Sequence, residues 1–120
     1  MSVSIIGGSV SPSTALTLNA QTGTTYTFVL TDANNTLVTA SNASAQTYTI
    51  PPNSSVAYPV GSQINIIQIG AGQVTFAQGS GVTIASNGAT ATAPKLRVQY
   101  SSATAIKVAT DTWYVIGDIS

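Results

Sequence analysis

The residues able to do chemistry are few. Histidine, cysteine and glutamate are absent, and the charged set is Asp32, Lys95, Arg97, Lys107, Asp111 and Asp118. An activated serine needs a base beside it, most often His. Only Lys95 and Lys107 remain for that role, and both alternate with apolar neighbours in a way that turns them to solvent. A carboxylate pair flanking a glycosidic bond would have to come from Asp32, Asp111 and Asp118. Each sits in or beside a turn signal, where Asp bonds its own backbone. Asp32-Ala33-Asn34-Asn35 offers oxygens to calcium but lacks the rest of an EF-hand loop, so a plain turn is expected. Zinc and redox metals lack their usual thiolate and imidazole ligands. Gly70-Ala71-Gly72 follows a strand pattern with no helix after it, which removes a dinucleotide-binding reading. The sequence therefore assigns no catalytic residue, no cofactor-binding residue and no metal ligand, and the expectation is a protein that is not an enzyme.

Aromatic side chains could stack on sugars. Tyr26, Phe28, Tyr48, Phe76, Tyr100 and Trp113 are most simply core, whereas Tyr58 and Tyr114 are the two expected at the surface.

Composition points toward assembly. Charged residues make up 5% of the chain, against about 25% in an ordinary soluble domain. Three basic and three acidic residues cancel, and 43% of the chain is hydrophobic, so low charge here does not mean disorder. A neutral skin of Thr, Ser, Asn and Gln resists association weakly. The basic excess needed to hold phosphates is missing, so no nucleic-acid partner is expected. No stretch approaches the ~18 apolar residues of a membrane span, and the start lacks the basic and apolar regions of a signal peptide.

The elements that must position these groups are short strands. Residues 1–13 read as an arm, with Gly7-Gly8 and Ser11-Pro12-Ser13 as breakers, and residues 14–120 as one β domain. Residues 14–19 form a candidate strand with Leu16 and Leu18 on one face. In residues 24–30, Tyr26, Phe28 and Leu30 alternate with Thr25 and Thr27, the mark of a half-buried strand. Residues 37–40 and 46–50 follow, and Pro51-Pro52 must end any ladder. Residues 62–69 resume with Ile64 and Ile66 on one face and Ile67 and Ile69 on the other, which requires two buried faces or a bulge. Residues 74–77 and 82–85 echo each other across Gln78-Gly79-Ser80-Gly81, a hairpin pattern too short for a solenoid. Residues 95–100 and 106–108 read as a second hairpin, with Lys107 opposite Gln99 because Arg97 opposite Lys107 would repel. Residues 112–117 are apolar on both faces, as in a central strand or one at a subunit interface. The expected fold is all-β: a compact antiparallel β-sandwich or small β-barrel of about ten short strands with an N-terminal arm.

Several spaced motifs carry a resemblance. Thr49-Ile50-Pro51-Pro52-Asn53-Ser54-Ser55 comes first, followed by Tyr58-Pro59-Val60-Gly61-Ser62-Gln63-Ile64. Gly70-Ala71-Gly72-Gln73-Val74-Thr75 and Gly81-Val82-Thr83-Ile84 come next, with Gly23-Thr24-Thr25-Tyr26-Thr27 before them and Thr112-Trp113-Tyr114-Val115 after. In this order they resemble a module that recurs in bacteriophage virion proteins, over about residues 22–118. The resemblance implies a structural component of a tailed-phage particle. With Met1 taken as the start and only a short arm added, it leans to a capsid decoration (cement) protein on the capsid exterior. Such a protein would be a homo-oligomer, a homotrimer by preference, bridging copies of the major capsid protein. The alternative is a tail-fibre or appendage module that binds host surface glycan.

Overall fold

In the computed structural model the described residues are 15–120, and the expected arm, with Thr14, lies outside them. Nine strands follow in chain order: β1 (Thr17–Gln21), β2 (Thr25–Thr27), β3 (Thr36–Ala40), β4 (Gln46–Ile50), β5 (Gln63–Gln68), β6 (Val74–Gln78), β7 (Thr83–Ala85), β8 (Ser102–Ala109) and β9 (Thr112–Gly117). A short 3-10 turn, Leu30–Ala33, separates β2 from β3. The strands form a six-stranded sheet ordered β1-β3-β5-β8-β9-β7 and a three-stranded sheet ordered β2-β4-β6.

The first six strands are coiled. β1, β3 and β5 pair parallel in one sheet, and β2, β4 and β6 pair parallel in the other. Leu37 pairs with Asn65 and Gln46 with Val74, the same sequence offset in both sheets. Three successive coils thus stack, each giving one strand to each sheet. At the corner between the sheets the coils nearly touch. A Cβ on Gly72 would lie 1.8 Å from the Ser44 carbonyl oxygen, and one on Gly70 would lie 2.4 Å from the Asn42 nitrogen. Only glycine permits that approach. It allows the Gly72 N–H to donate to the Asn42 carbonyl at 2.8 Å, while Asn42 Nδ2 donates to the Thr22 carbonyl at 2.8 Å. Gly70-Ala71-Gly72 is therefore a stacking corner.

The last three strands close the stack differently. β8 runs antiparallel to β5 and to β9, and β7 is parallel to β9.

Side chains alternate strictly between the two faces of each strand. Inward, Tyr26, Tyr48 and Phe76 form one in-register row, and Tyr26 lies 5.5 Å from Tyr48 between ring centres. Phe28 packs at 5.7 Å from Tyr48 and 6.3 Å from Phe76. From the larger sheet Val38, Ile64, Ile66, Ala105, Trp113 and Val115 complete the buried core.

The antiparallel sandwich or barrel is thereby corrected to a parallel three-stranded sheet and a six-stranded sheet of mixed direction, built from three parallel coils followed by β7, β8 and β9. Alternation reports which face is buried but carries no strand direction. Four local expectations change with it. Residues 74–77 and 82–85 do not form a hairpin, since β7 pairs with β9. Lys107 faces Trp113 instead of Gln99, because residues 102–109 form one long strand between β5 and β9. Leu96 instead bridges Ile119, and Tyr100 turns the chain at φ 70°. Residues 24–30 shorten to β2 because Asp32 pulls residues 30–33 into the 3-10 turn, which leaves Leu30 exposed. The register of β5 with both neighbours is continuous, so no bulge explains its paired isoleucines: Ile64 and Ile66 are buried and Ile67 faces outward, half-buried.

Candidate functional site

The acidic candidates are not brought into one cleft. Asp32 is buried, and its carboxylate is already filled by hydrogen bonds. Asn19 Nδ2 donates to Oδ1 at 2.8 Å, and the Tyr26 hydroxyl and the Val29 N–H donate to Oδ2 at 2.7 and 2.9 Å. Gln21 Nε2 extends the chain to Asn19 Oδ1 at 2.8 Å. Burial, reinforced by Asp32, pushes the Tyr26 hydroxyl up to about 12. The group is a polar floor to the first coil, and Asp32 and Ala33 close the 3-10 turn Leu30–Ala33. Asp111 holds the backbone N–H of Asn53 at 2.7 Å. Asp118 pairs with Arg97 through two bonds of 2.8 and 3.1 Å and accepts the Ser101 hydroxyl. The Arg97 guanidinium, then Ser101, holds the Asp118 carboxyl below the usual carboxylate range. Among the described residues no group of three or more His, Cys, Asp or Glu could hold a metal ion.

Two expected exposures are reversed. Lys107 is buried instead of solvated, because its strand is central and its inward position meets two oxygen acceptors, Asn53 Oδ1 and the Tyr58 carbonyl, each at 2.7 Å. Tyr58 is buried against Trp113, edge to face at 5.2 Å, and donates its hydroxyl to the Val29 carbonyl at 2.6 Å. Tyr114, by contrast, is exposed as expected.

With chemistry set aside, the outer face of the six-stranded sheet stands out. Register places Leu18, Leu37, Asn65, Thr104 and Ile116 in one outward row. Ala20, Thr39, Ile67 and Ser102 form the next, and Gln63, Ile106, Tyr114 and Ala85 a third. Leu18 is 67% exposed, Ile116 56% and Tyr114 51%. No residue in these rows is charged. The rows are knit by Thr104 Oγ1 donating to Asn65 Oδ1 at 2.6 Å. The apolar side chains of this face fall mainly in two groups, Leu18 with Leu37 on β1 and β3, and Ile106, Tyr114 and Ile116 on β8 and β9, with Asn65 and Thr104 between them, and exposed apolar groups set among uncharged polar ones mark a candidate interaction surface.

The sequence puts Tyr114 on the exposed side and Ile116 with it on one face of the last strand, and puts Leu18 with Leu16 on one face of the first, without joining the two faces. The signal was present: Leu18 and Leu37 occupy equivalent positions of successive coils, which only a parallel pairing makes visible.

Compared with family models, with curated proteins and with solved structures, the chain matches none.

Proposed function

We propose that the protein is a structural component of a tailed-phage particle, a decoration protein that seats the outer face of its six-stranded sheet on the capsid shell. The observation that carries this reading is the coincidence of exposed Leu18, Tyr114 and Ile116 with the complete absence of charge on that face. Docking such a face desolvates no ion, so the penalty that opposes burial of charged surfaces does not arise. Each bridged boundary gains roughly 25 cal/mol per Å² of apolar surface removed from water. Many copies acting in parallel would resist the pressure of packaged DNA. The phage-module motifs supply the identity of the shell, and a trimer of this chain over a junction between capsid subunits is the arrangement proposed.

A second reading, a tail appendage that binds glycan, is favoured by one feature. An open pocket of about 580 Å³ at the first coil is lined by Thr17, Gln21, Thr31, Asn34 and Thr36 over the network of Asn19, Tyr26 and Asp32, hydroxyl and amide groups suited to sugar hydroxyls. Counting copies per particle separates the two: hundreds support the head, a handful at one vertex the tail. Particles made without this chain should lose DNA on mild heating. Unchanged heat resistance would overturn the decoration reading.

A further inference from the structure

Lys107 is the least expected charge in the molecule. It is 3% exposed on the inner face of β8, and its Nζ lies 2.7 Å from Asn53 Oδ1 and 2.7 Å from the Tyr58 carbonyl oxygen. Among the described residues the only salt bridge is Arg97 with Asp118, so no carboxylate is in ion-pair contact with Nζ. A buried ammonium facing neutral acceptors alone is an expensive way to hold a loop. Both partners are also fixed through their backbones. The Lys107 N–H donates to the Ser62 carbonyl and its own carbonyl accepts the Gly61 N–H, at 3.0 and 2.7 Å. Asn53 follows the stiff Pro51-Pro52 pair, and its N–H is held at 2.7 Å by Asp111 Oδ1. Asp111 sits at φ 55° in the turn joining β8 to β9, which carries its carboxylate back to Asn53.

We propose that Lys107 and Asn53 become joined by an amide bond within the chain. Nζ, as the free amine, attacks Cγ of the Asn53 carboxamide. The Nζ–Cγ bond forms, the Cγ–Nδ2 bond breaks, and Nδ2 leaves as ammonia, taking up the protons that Nζ gives up. One alkylammonium and one carboxamide become one secondary amide and one ammonium ion, with no oxidant or co-reactant. Aminolysis of an amide is very slow between free molecules, and fixed contact supplies effective concentrations of about 10⁵–10⁸ M in well-oriented cases. The Tyr58 carbonyl orients Nζ, and Asp111 is a positioning residue for Asn53. The bond would tie the proline loop to the central strand of the larger sheet and remove the buried charge. It does not depend on the proposed function.

The test is the intact mass of the purified full-length chain under denaturing conditions, followed by trypsin digestion. The expected mass is lower by one ammonia than the sequence requires, after any loss of Met1. Trypsin can cut only after Lys95, Arg97 and Lys107. The bonded chain should yield residues 1–95 joined to residues 98–120, with no cut after Lys107. Lys107→Arg and Asn53→Ala should each restore the unmodified mass, and Asp111→Ala should lower the bonded fraction in a time course. A chain of full sequence mass overturns the proposal. So does a chain lighter by ammonia that trypsin still cuts after Lys107, since that loss would be a succinimide.

Discussion

The two sheets share a core and turn opposite surfaces to water. Inward, both offer large apolar and aromatic side chains. Outward, β2, β4 and β6 present Thr25, Thr47 and Thr75 in one row and Thr27, Thr49 and Ala77 in the next, bordered by Lys95, which bridges Thr75. The larger sheet presents Leu18, Leu37, Ile67, Ile106, Tyr114 and Ile116 with no charge. β-branched threonine suits a strand as well as isoleucine does, so strand formation does not explain the difference. One surface is built to stay hydrated and the other gains by being covered.

The largest effect should come from placing a charge on the face proposed to be covered. If the protein is the proposed decoration protein, Ile116→Lys should weaken attachment to phage heads by roughly a hundred-fold or more, because a buried, unpaired ammonium costs several kcal/mol. Thr47→Lys should leave attachment unchanged. Co-sedimentation with heads lacking the protein reads both, and equal losses would erase the contrast. Within one strand the inner and outer positions should differ almost as sharply. Phe76→Ala should cost about 3–5 kcal/mol of unfolding free energy in urea, as for other buried Phe deletions. Thr75→Ala, its outward neighbour, should stay within about 0.5 kcal/mol.

Alkali should act through the inward-facing tyrosines. Burial pushes the Tyr48 hydroxyl up to about 12, as it does Tyr26, and raises Tyr58 further. A raised folded-state value means the native state keeps its proton after the unfolded chain, with its ordinary value of 10.0, has lost it. Stability from these groups is complete below about pH 10 and is lost as pH rises toward 12 and beyond. Thermal melting against pH should therefore be level to pH 10 and fall above it. The smallest effect is a gain. The Tyr48 hydroxyl is buried with no partner, and Tyr48→Phe should raise stability by up to about 1 kcal/mol, since an unsatisfied buried hydroxyl is a penalty.

How much of this was legible depends on what each residue reports. Alternation in residues 46–50 marks β4 to the residue, because one buried face forces period two, and the continuous apolar run within residues 112–117 marks β9. Tyr26, Phe28, Tyr48 and Phe76 were placed in the core for the same reason. Strand direction was not legible, since parallel and antiparallel neighbours can impose the same alternation on a strand. The parallel order follows from contacts between coils, such as Gly72 beneath Ser44, which no local window contains. Lys107 misled for a related reason. Its flanks, Ile106 and Val108, are apolar, so alternation turned it outward, whereas the covered core lies on its own side and Ile106 faces out. The outer patch was half legible: β9 was recognised as apolar on both sides, but Leu18 joined it only through its register with Leu37.

The claim that the six-stranded sheet is the covered face has a direct measurement, helped by a chain with no native cysteine. Ile116→Cys and Thr47→Cys are each labelled with a small thiol reagent, free in solution and again on assembled phage heads. The account predicts that both label rapidly in the free protein, and that on heads the Cys at position 116 is protected while that at 47 labels as before. Unchanged labelling at 116, or protection at 47 alone, would contradict it.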